Sequence, residues 1–436
     1  MKTNFVKLRW LFTMLLFVTT MIMPTMMLAK SIDLKIPEGD GAGTPYKIGT
    51  AEELYWFAGL VNGTLPGVKK DLSANAILTD DIIVNTGVLD PNKDLVSGND
   101  FIEWIPIGKS SSDDDAYTGT FDGNGHPISG LYFNKSNSWY VGLFGCIGAE
   151  GKISNVGVSD SYFQSSNCPY IGGVCGSNSG ELQNCSNSST VIGKENEYRI
   201  GGVCGYNSGT VKDCKNTGSV RGKETIGGVC GYNERRYNEK GGIIENSFNE
   251  GTVSGTGDYD VLNIGGVCGY NYGGTIKSCY NTASVSGQYS VGGVSGSLGS
   301  DVTNCYYLSG TVADGKGGIG GKDDENGKAV EMSKDRFKSG EVAWLLNGSK
   351  SVSTEESTLA WYQKLGENAD AYPVLKSTDH NTVYKAPLFS CDGTTRIGEY
   401  ANKPEGDKLS HNYQMAEKAD EGTSNLYSEE CAICHN

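Results

Sequence analysis

The chain has 436 residues, a formal net charge of −15, 62 glycines and 13 cysteines. So acidic a balance excludes nucleic-acid binding through a basic face, and its plain meaning is a self-repelling surface held in solvent. The length left after the leader suits one elongated array with end pieces better than several globular domains.

Residues 1–29 read as a secretory signal peptide. Lys2, Lys7 and Arg9 supply the positive start, "LFTMLLFVTTMIM" the apolar stretch, and "MLA" a cleavage site before Lys30. Loss of those three basic residues takes the net charge from −15 to −18. A retained anchor is the alternative, and no second apolar segment is long enough to span a bilayer. No cysteine follows the apolar stretch, so lipid attachment is not indicated.

Residues 30–135 read as an N-terminal cap with irregular first coils. "GTAEELYWFAGLVNG" predicts a helix with Thr50 as N-cap, Glu53 closing a capping box, and an end near Asn62-Gly63. Leu54, Phe57, Ala58 and Val61 form its apolar stripe. "AILTDDIIV" and "FIEWIPIG" predict strands, and "GTFDGNGHPISGLYF" a tight turn between strands leading into the first coil.

Residues 136–312 repeat themselves. "YIGGVCGSNSGELQNCSNSSTV" from Tyr170 returns as "RIGGVCGYNSGTVKDCKNTGSV" from Arg199, and again in altered form from Thr225, Asn263 and Ser290. A looser copy, "YVGLFG", opens at Tyr140. The aliphatic heads Val141, Ile171, Ile200, Ile226, Ile264 and Val291 lie 30, 29, 26, 38 and 27 residues apart. One such unit leaves an apolar edge bare unless another stacks on it. The period with three short strands per unit predicts an all-β parallel β-solenoid, a right-handed β-helix, with an N-terminal helix-containing cap and a small mixed C-terminal cap. A sandwich or propeller of short strands is the rival, and propeller blades need a longer period.

Stacking explains the repeated letters. Glycine suits the positive-φ corners of a tight coil, and asparagine tolerates the same geometry. Asn178, Asn207, Asn233 and Asn271 predict one amide ladder; Asn187, Asn216, Asn249 and Asn281 predict another. Cys175, Cys204, Cys230 and Cys268 predict one thiol column, and Cys185, Cys214, Cys279 and Cys305 a second. Ser247 and Ser295 each replace a single cysteine, which fits small buried thiols better than obligate bridges, with disulfides as the alternative.

Residues 313–385 read as the C-terminal cap, with Phe337, Val342, Trp344, Leu345 and Leu346 covering the last coil. Residues 386–436 form a Cys/His-containing tail. Cys391, His411, Cys431 and Cys434 offer three thiolates and an imidazole to tetrahedral zinc. "CAICH" also fits a haem-attachment pattern, but so polar a tail has little to bury a haem with. A Cys431–Cys434 disulfide is the bland reading. No cofactor is expected in the solenoid.

"IGGVCGYNSGTVKDCKNTGSVRG" resembles the GLUG repeat of bacterial surface proteins, a repeat also found beside the catalytic part of IgA-specific metallo-endopeptidases. "PYKIGTAEELYWFAGLVN", "WIPIG", "FKSGEVAWLLNG" and "WYQKLG" resemble the flanks of such repeats, so the likeness runs roughly from Pro45 to Tyr384. It implies an exported, surface-exposed, adhesin-like bacterial protein, of a gut-type Gram-negative anaerobe. The peptidase chemistry does not carry over. It needs H-E-x-x-H, and none of His126, His380, His411 and His435 begins one.

Three functions compete. An adhesin-like protein would bind a glycan or a surface protein, with Tyr206, Tyr232 and Tyr270 as a candidate aromatic column that packing alone would also explain. A polysaccharide-degrading enzyme would need paired carboxylates. Asp113–Asp115 read as a solvated loop and Asp122 as a turn former. A passive spacer is the third. Oligomeric state is not legible.

Overall fold

Five short strands, not three, make one turn of the coil. One turn runs through Lys152–Ser154, Gly157–Ser159, Tyr162–Ser166, Tyr170–Gly172 and Cys175–Asn178, and the next begins at Glu181–Gln183. The extra breaks come from a left-handed residue after the first strand and a glycine pair before the last. Strands in corresponding positions stack into five parallel walls, two of nine strands, two of six and one of five. The computed structural model describes residues 32–402, with breaks at 99, 111, 113, 195–198, 236–240, 257–262, 298–300, 314–315, 321–326, 349–358, 365–367, 376–382 and 390–395. The signal peptide and the ligand set Cys391, His411, Cys431 and Cys434 lie outside the described residues.

The protein is an all-β parallel β-solenoid of about eight turns, with three helices among the described residues. Its register follows the repeated words: Val141, Ile171, Ile200, Ile226, Ile264 and Val291 are direct partners in one wall. Ile153, Leu182, Val211, Ile244, Ile276 and Val302 do the same in another. All are buried, and they belong to one continuous core. The stack starts before the repeats do: the first nine-stranded wall begins at Tyr46–Ile48 and Ala76–Leu78.

Two columns of asparagine run through this core. In each, the side-chain amide donates to the carboxamide oxygen of the next coil's copy at 2.8 Å, from Asn178 to Asn207, Asn233 and Asn271. The second runs from Asn187 to Asn216, Asn249 and Asn281. Here each oxygen also accepts a backbone N–H two residues on, as Asn216 does from Gly218 at 3.2 Å. Every polar atom of these buried amides has its partner, the condition under which burial is tolerable.

The repeat glycines serve a purpose other than the expected one. The positive-φ corner is held by Asn155, Asn184, Asp213, Asn246, Ser278 and Asn304, and the paired glycines of the "IGGV" words are not among the positive-φ residues. Those glycines are needed for closeness. A Cβ on Gly202 would lie 2.2 Å from the carbonyl oxygen of Gly228 and 2.3 Å from Cγ of Asn216. Gly173 meets Asn187, Gly228 meets Asn249 and Gly266 meets Asn281 in the same way. The coil is so narrow that the second glycine of one wall touches the amide of another. In the looser first copy the amide position is Val158, opposite Asn187 in register, and "VGLF" replaces "IGGVC" with one residue fewer.

The thiols form two columns of free, buried cysteine. Cys175, Cys204, Cys230 and Cys268 are register partners, and Ser295 continues the column. Each thiol donates to the carbonyl two residues on, 2.9 Å for Cys175 and 3.0 Å for Cys204, and Ser295 Oγ does likewise at 3.5 Å. In the second column the backbone N–H of Cys185 donates to Cys214 Sγ at 3.4 Å, that of Cys214 to Ser247 Oγ at 3.1 Å, and that of Ser247 to Cys279 Sγ at 3.4 Å. Sulfur and hydroxyl therefore fill the same hydrogen-bonding place, which is why serine substitutes singly. Burial pushes the thiols of Cys175, Cys204, Cys214, Cys230 and Cys279 well above the ordinary range, so thiolate is scarce.

Helix α1 (Ala51–Asn62) closes the first coil. Thr50 caps it by accepting from Glu53 N, Glu53 Oε2 accepts from Gly49 N at 2.9 Å, and Gly63 ends it in the left-handed region. The predicted stripe understates its burial: of its twelve residues only Glu52 escapes it. Phe57 packs on Tyr117 and Phe121, and Phe121 continues the interior column of Ile153. "FIEWIPIG" is not a strand; it joins the walls through isolated bridges, Glu103 to Tyr132 and Ile107 to Phe144.

The C-terminal piece sits on a side wall rather than over the last coil. Helices α2 (Lys334–Lys338) and α3 (Glu341–Leu346) bring Phe337, Val342, Trp344 and Leu346 against Phe248, Tyr280 and Tyr306. Those three aromatics point outward from one nine-stranded wall, and the Tyr280 hydroxyl donates to Pro373 O at 2.7 Å. The last coil is closed by the rung Cys305–Leu308 with Ala329–Met332 and by the bridge from Ser295 to Ile319.

Two outcomes test this packing. Gly202→Ala should destabilise the array by more than about 3 kcal/mol in urea unfolding, because backbone and a buried amide both block the new methyl; an effect within about 0.5 kcal/mol would contradict the close approach. A thiol reagent should find none of the ten described cysteines in the native protein and all ten after denaturation without reductant.

Candidate functional site

The outward residues of two adjoining walls gather into one aromatic strip. Tyr206, Tyr232 and Tyr270 are register partners, separated by 5.8 Å and then 5.2 Å between ring centroids, both pairs stacked. Cys146 and Ser177 hold the same column position in the two preceding coils. Sequence reasoning named those three tyrosines and missed their neighbours. Tyr140 and Tyr170 stack at 5.1 Å on the adjoining wall, Tyr170 meets Tyr206 edge-on, and Tyr272 extends the strip beyond Tyr270.

Arg199 lies at the centre. Its guanidinium carbon is 5.0 Å from the Tyr170 ring centroid, 5.6 Å from Tyr206 and 4.5 Å from Tyr232. The next wall places it there, since Arg199 is the register partner of Tyr170 on one side and Thr225 on the other. Its Nε is buried without a hydrogen-bond partner among the described residues, and the ring faces hold the cation. Sequence reasoning missed Arg199, whose one signal is that it stands where other copies have Tyr170, Thr225 or Asn263.

The strip is not uniformly open. Tyr206 is only 7% exposed and its hydroxyl donates to Glu234, so it is mainly packing. Tyr232 and Tyr270 are half-buried, and Tyr272 is 55% exposed. Burial pushes the Tyr232 phenol up to about 12, Glu234 adds to the rise and Arg199 opposes it. The strip therefore offers ring faces and one fixed cation, with the Tyr232 hydroxyl neutral across the pH range of ordinary media.

Two of the carboxylates considered for catalysis, Asp122 and Asp115, are occupied elsewhere, and Asp113 lies outside the described residues. Asp122 Oδ1 accepts from Asn124 N at 2.8 Å and from Asn155 Nδ2 at 2.9 Å, a turn-stabilising arrangement. Asp115 is not simply solvated: Lys70 pairs with it at 2.6 Å. Among the described residues no group of three or more His, Cys, Asp or Glu is placed to hold a metal ion, and no helix is long and apolar enough to cross a membrane.

A coil of this period, wound parallel and carrying these words, is a repeat solenoid, and the comparisons say which repeat. Residues 196–221 and 260–286 match the family model of the GLUG motif, so the chain carries GLUG repeats. Over 78 residues, 18% of this chain, it is 33% identical to a provisionally named Gly-rich membrane protein of Evansella cellulosilytica, covering 9% of that protein. Over 84 residues, 19% of this chain, it is 37% identical to Halomucin of Haloquadratum walsbyi, covering 1% of it. The chain thus spans less than a tenth of the length of these curated relatives. A solved chain from Bacteroides ovatus, described as a candidate immunoglobulin A1 protease, matches with a TM-score of 0.50 over 79% of this chain and 95% of that one. At 20% identity the likeness is one of fold.

Arg199→Ala should destabilise the protein by roughly 1–2 kcal/mol in urea unfolding, through three lost ring contacts and an emptied site. No change would show that the guanidinium is not held by the rings.

Proposed function

We propose that this chain is an exported, surface-presented binding protein, adhesin-like, that uses the side of its solenoid to hold a glycan or a partner protein. The observation that carries the reading is the tyrosine strip around Arg199. Half-buried rings on a rigid wall lose little freedom when a ligand settles on them, and a ring face accepts both sugar C–H faces and apolar protein surface. Parallel stacking holds successive rings at nearly fixed separations, so the strip presents an ordered row rather than isolated contacts. The sequence features of residues 1–29 support export, and one relative being named as a membrane protein agrees with a surface setting.

Binding is favoured over catalysis because the sequence has no H-E-x-x-H, and Asp122 and Asp115 are engaged in a turn and an ion pair. Zinc in the tail, through Cys391, His411, Cys431 and Cys434, is a separate proposal that metal analysis of the whole chain would test.

The test is a glycan array together with adhesion to host cells. The wild-type chain should bind one of them, and Tyr232→Ser with Tyr270→Ser should reduce that binding at least about tenfold while keeping one cooperative unfolding transition, lowered by the lost Tyr232–Arg199 contact. Release of reducing sugars or unsaturated uronides from a bound glycan would instead show an enzyme.

A further inference from the structure

A second site lies at another corner of the coil. The left-handed residues Asn155, Asn184, Asp213, Asn246, Ser278 and Asn304 stack there along the solenoid. Their polarity is the reverse of that in the buried ladders: each amide donates back to the preceding coil. Asn155 Nδ2 donates to Asp122 at 2.9 Å, Asn184 Nδ2 to Asn155 Oδ1 at 2.8 Å, Asn246 Nδ2 to Asp213 Oδ1 at 3.1 Å and Asn304 Nδ2 to Ser278 Oγ at 3.1 Å.

One step of this column is broken. Position 213 ought to donate to Asn184 Oδ1, and an ionised carboxylate has nothing to donate. Lys212 and Gln183 are register partners, so Asp213 and Asn184 are adjacent in the column, yet no hydrogen bond joins them. Asn184 Oδ1 and the Asp213 carboxylate thus stand as unjoined acceptors about one strand spacing of 4.8 Å apart, while Asp213 takes its hydrogen bonds from Asn246 and Gln183.

The break lies under a roof. Asn155, Asn184 and Asp213 line two adjoining cavities of about 440 Å³ and 540 Å³, and Leu375 of the C-terminal piece lines both from the other side. Leu359 and Ala360 add to that wall, which Tyr280 holds through Pro373 O and Asn304 through Leu346 O at 3.0 Å. The floor is thus amide and carboxylate, the roof is apolar, and the whole has the size of a small-ligand cleft.

We infer that this cleft binds a neutral saccharide, with a sugar hydroxyl donating into the gap between Asn184 and Asp213. A hydroxyl both donates and accepts, so it matches a column of mixed amides. The charges favour a neutral ligand: Asp213 disfavours an anion, and Lys212 in the same lining disfavours a cation. Burial raises the proton affinity of the Asp213 carboxyl, and its hydrogen bonds with Asn246 and Gln183 and the nearby Lys212 charge oppose the rise. The rungs repeat along the cleft, so successive coils meet successive sugars. This site is distinct from the tyrosine strip and stands whether or not the strip binds anything.

Calorimetric titration of the whole chain with neutral hexaoses of glucose, xylose, mannose and galactose is the test. At least one should bind. Asp213→Asn should weaken that binding about tenfold or more and also raise the unfolding midpoint, because the new amide completes the column. Tyr232→Ser with Tyr270→Ser should leave it unchanged. The inference is overturned if no hexaose binds, if Asp213→Asn binds as well as wild type, or if that variant melts lower. Loss of hexaose binding in the tyrosine variant would also overturn it, by moving the sugar to the strip.

Discussion

The structure depends on one contact, a glycine of one wall lying against the asparagine amide of another. Gly202 against Asn216 sets how narrow the coil is, and the same contact recurs at Gly173, Gly228 and Gly266. Where glycine and amide lie this close no side chain fits between them, so the buried amide must be satisfied along the axis instead. The ladder from Asn187 to Asn281 does this, with bonds running both to the next coil and to its own turn. The amides thereby fix the register that stacks the aliphatic residues, since a slipped coil would bury unpaired carboxamides.

Once register is fixed inside, the outside inherits it. Any outward position becomes a column, whether the letters recur or not. Tyr206, Tyr232 and Tyr270 stack because the residues beneath them do, and Arg199 is brought among rings from two walls by the same rule. The interior needs its letters for packing, whereas the outer columns are free to carry chemistry. That division of labour is why the candidate sites lie on walls and corners, and why the thiols, sealed and pushed toward the neutral form, do not.

The repeat words made the solenoid and its inner columns legible, because a residue that must meet its own copy is a residue that repeats. The amide columns and both thiol columns could be read from spacing alone. Three features could not. The number of strands per turn was hidden because a strand of two or three residues, such as Lys215–Asn216, carries no alternation to detect. The glycines were misassigned because closeness across a coil leaves no local mark, whereas the positive-φ corner is marked only by Asn, Asp or Ser before each second cysteine or its serine stand-in. The side-wall docking of the C-terminal piece was missed because Phe248, Tyr280 and Tyr306 stand nearer to their own turns in sequence than to the helices they cover. Of the candidate strip, the repeating tyrosines were visible and the single Arg199 was not, for the reason that only recurrence draws the eye.

The central claim is that successive coils are locked by amide-to-amide bonds rather than by apolar stacking alone. A double-mutant cycle on Asn187 and Asn216, each changed to alanine singly and together and followed by urea unfolding, measures that bond directly. The account predicts a coupling energy of about 1–2 kcal/mol, with the double variant losing less than the sum of the singles. Strict additivity would mean that the two amides do not depend on each other, and the ladder would not be what holds the register.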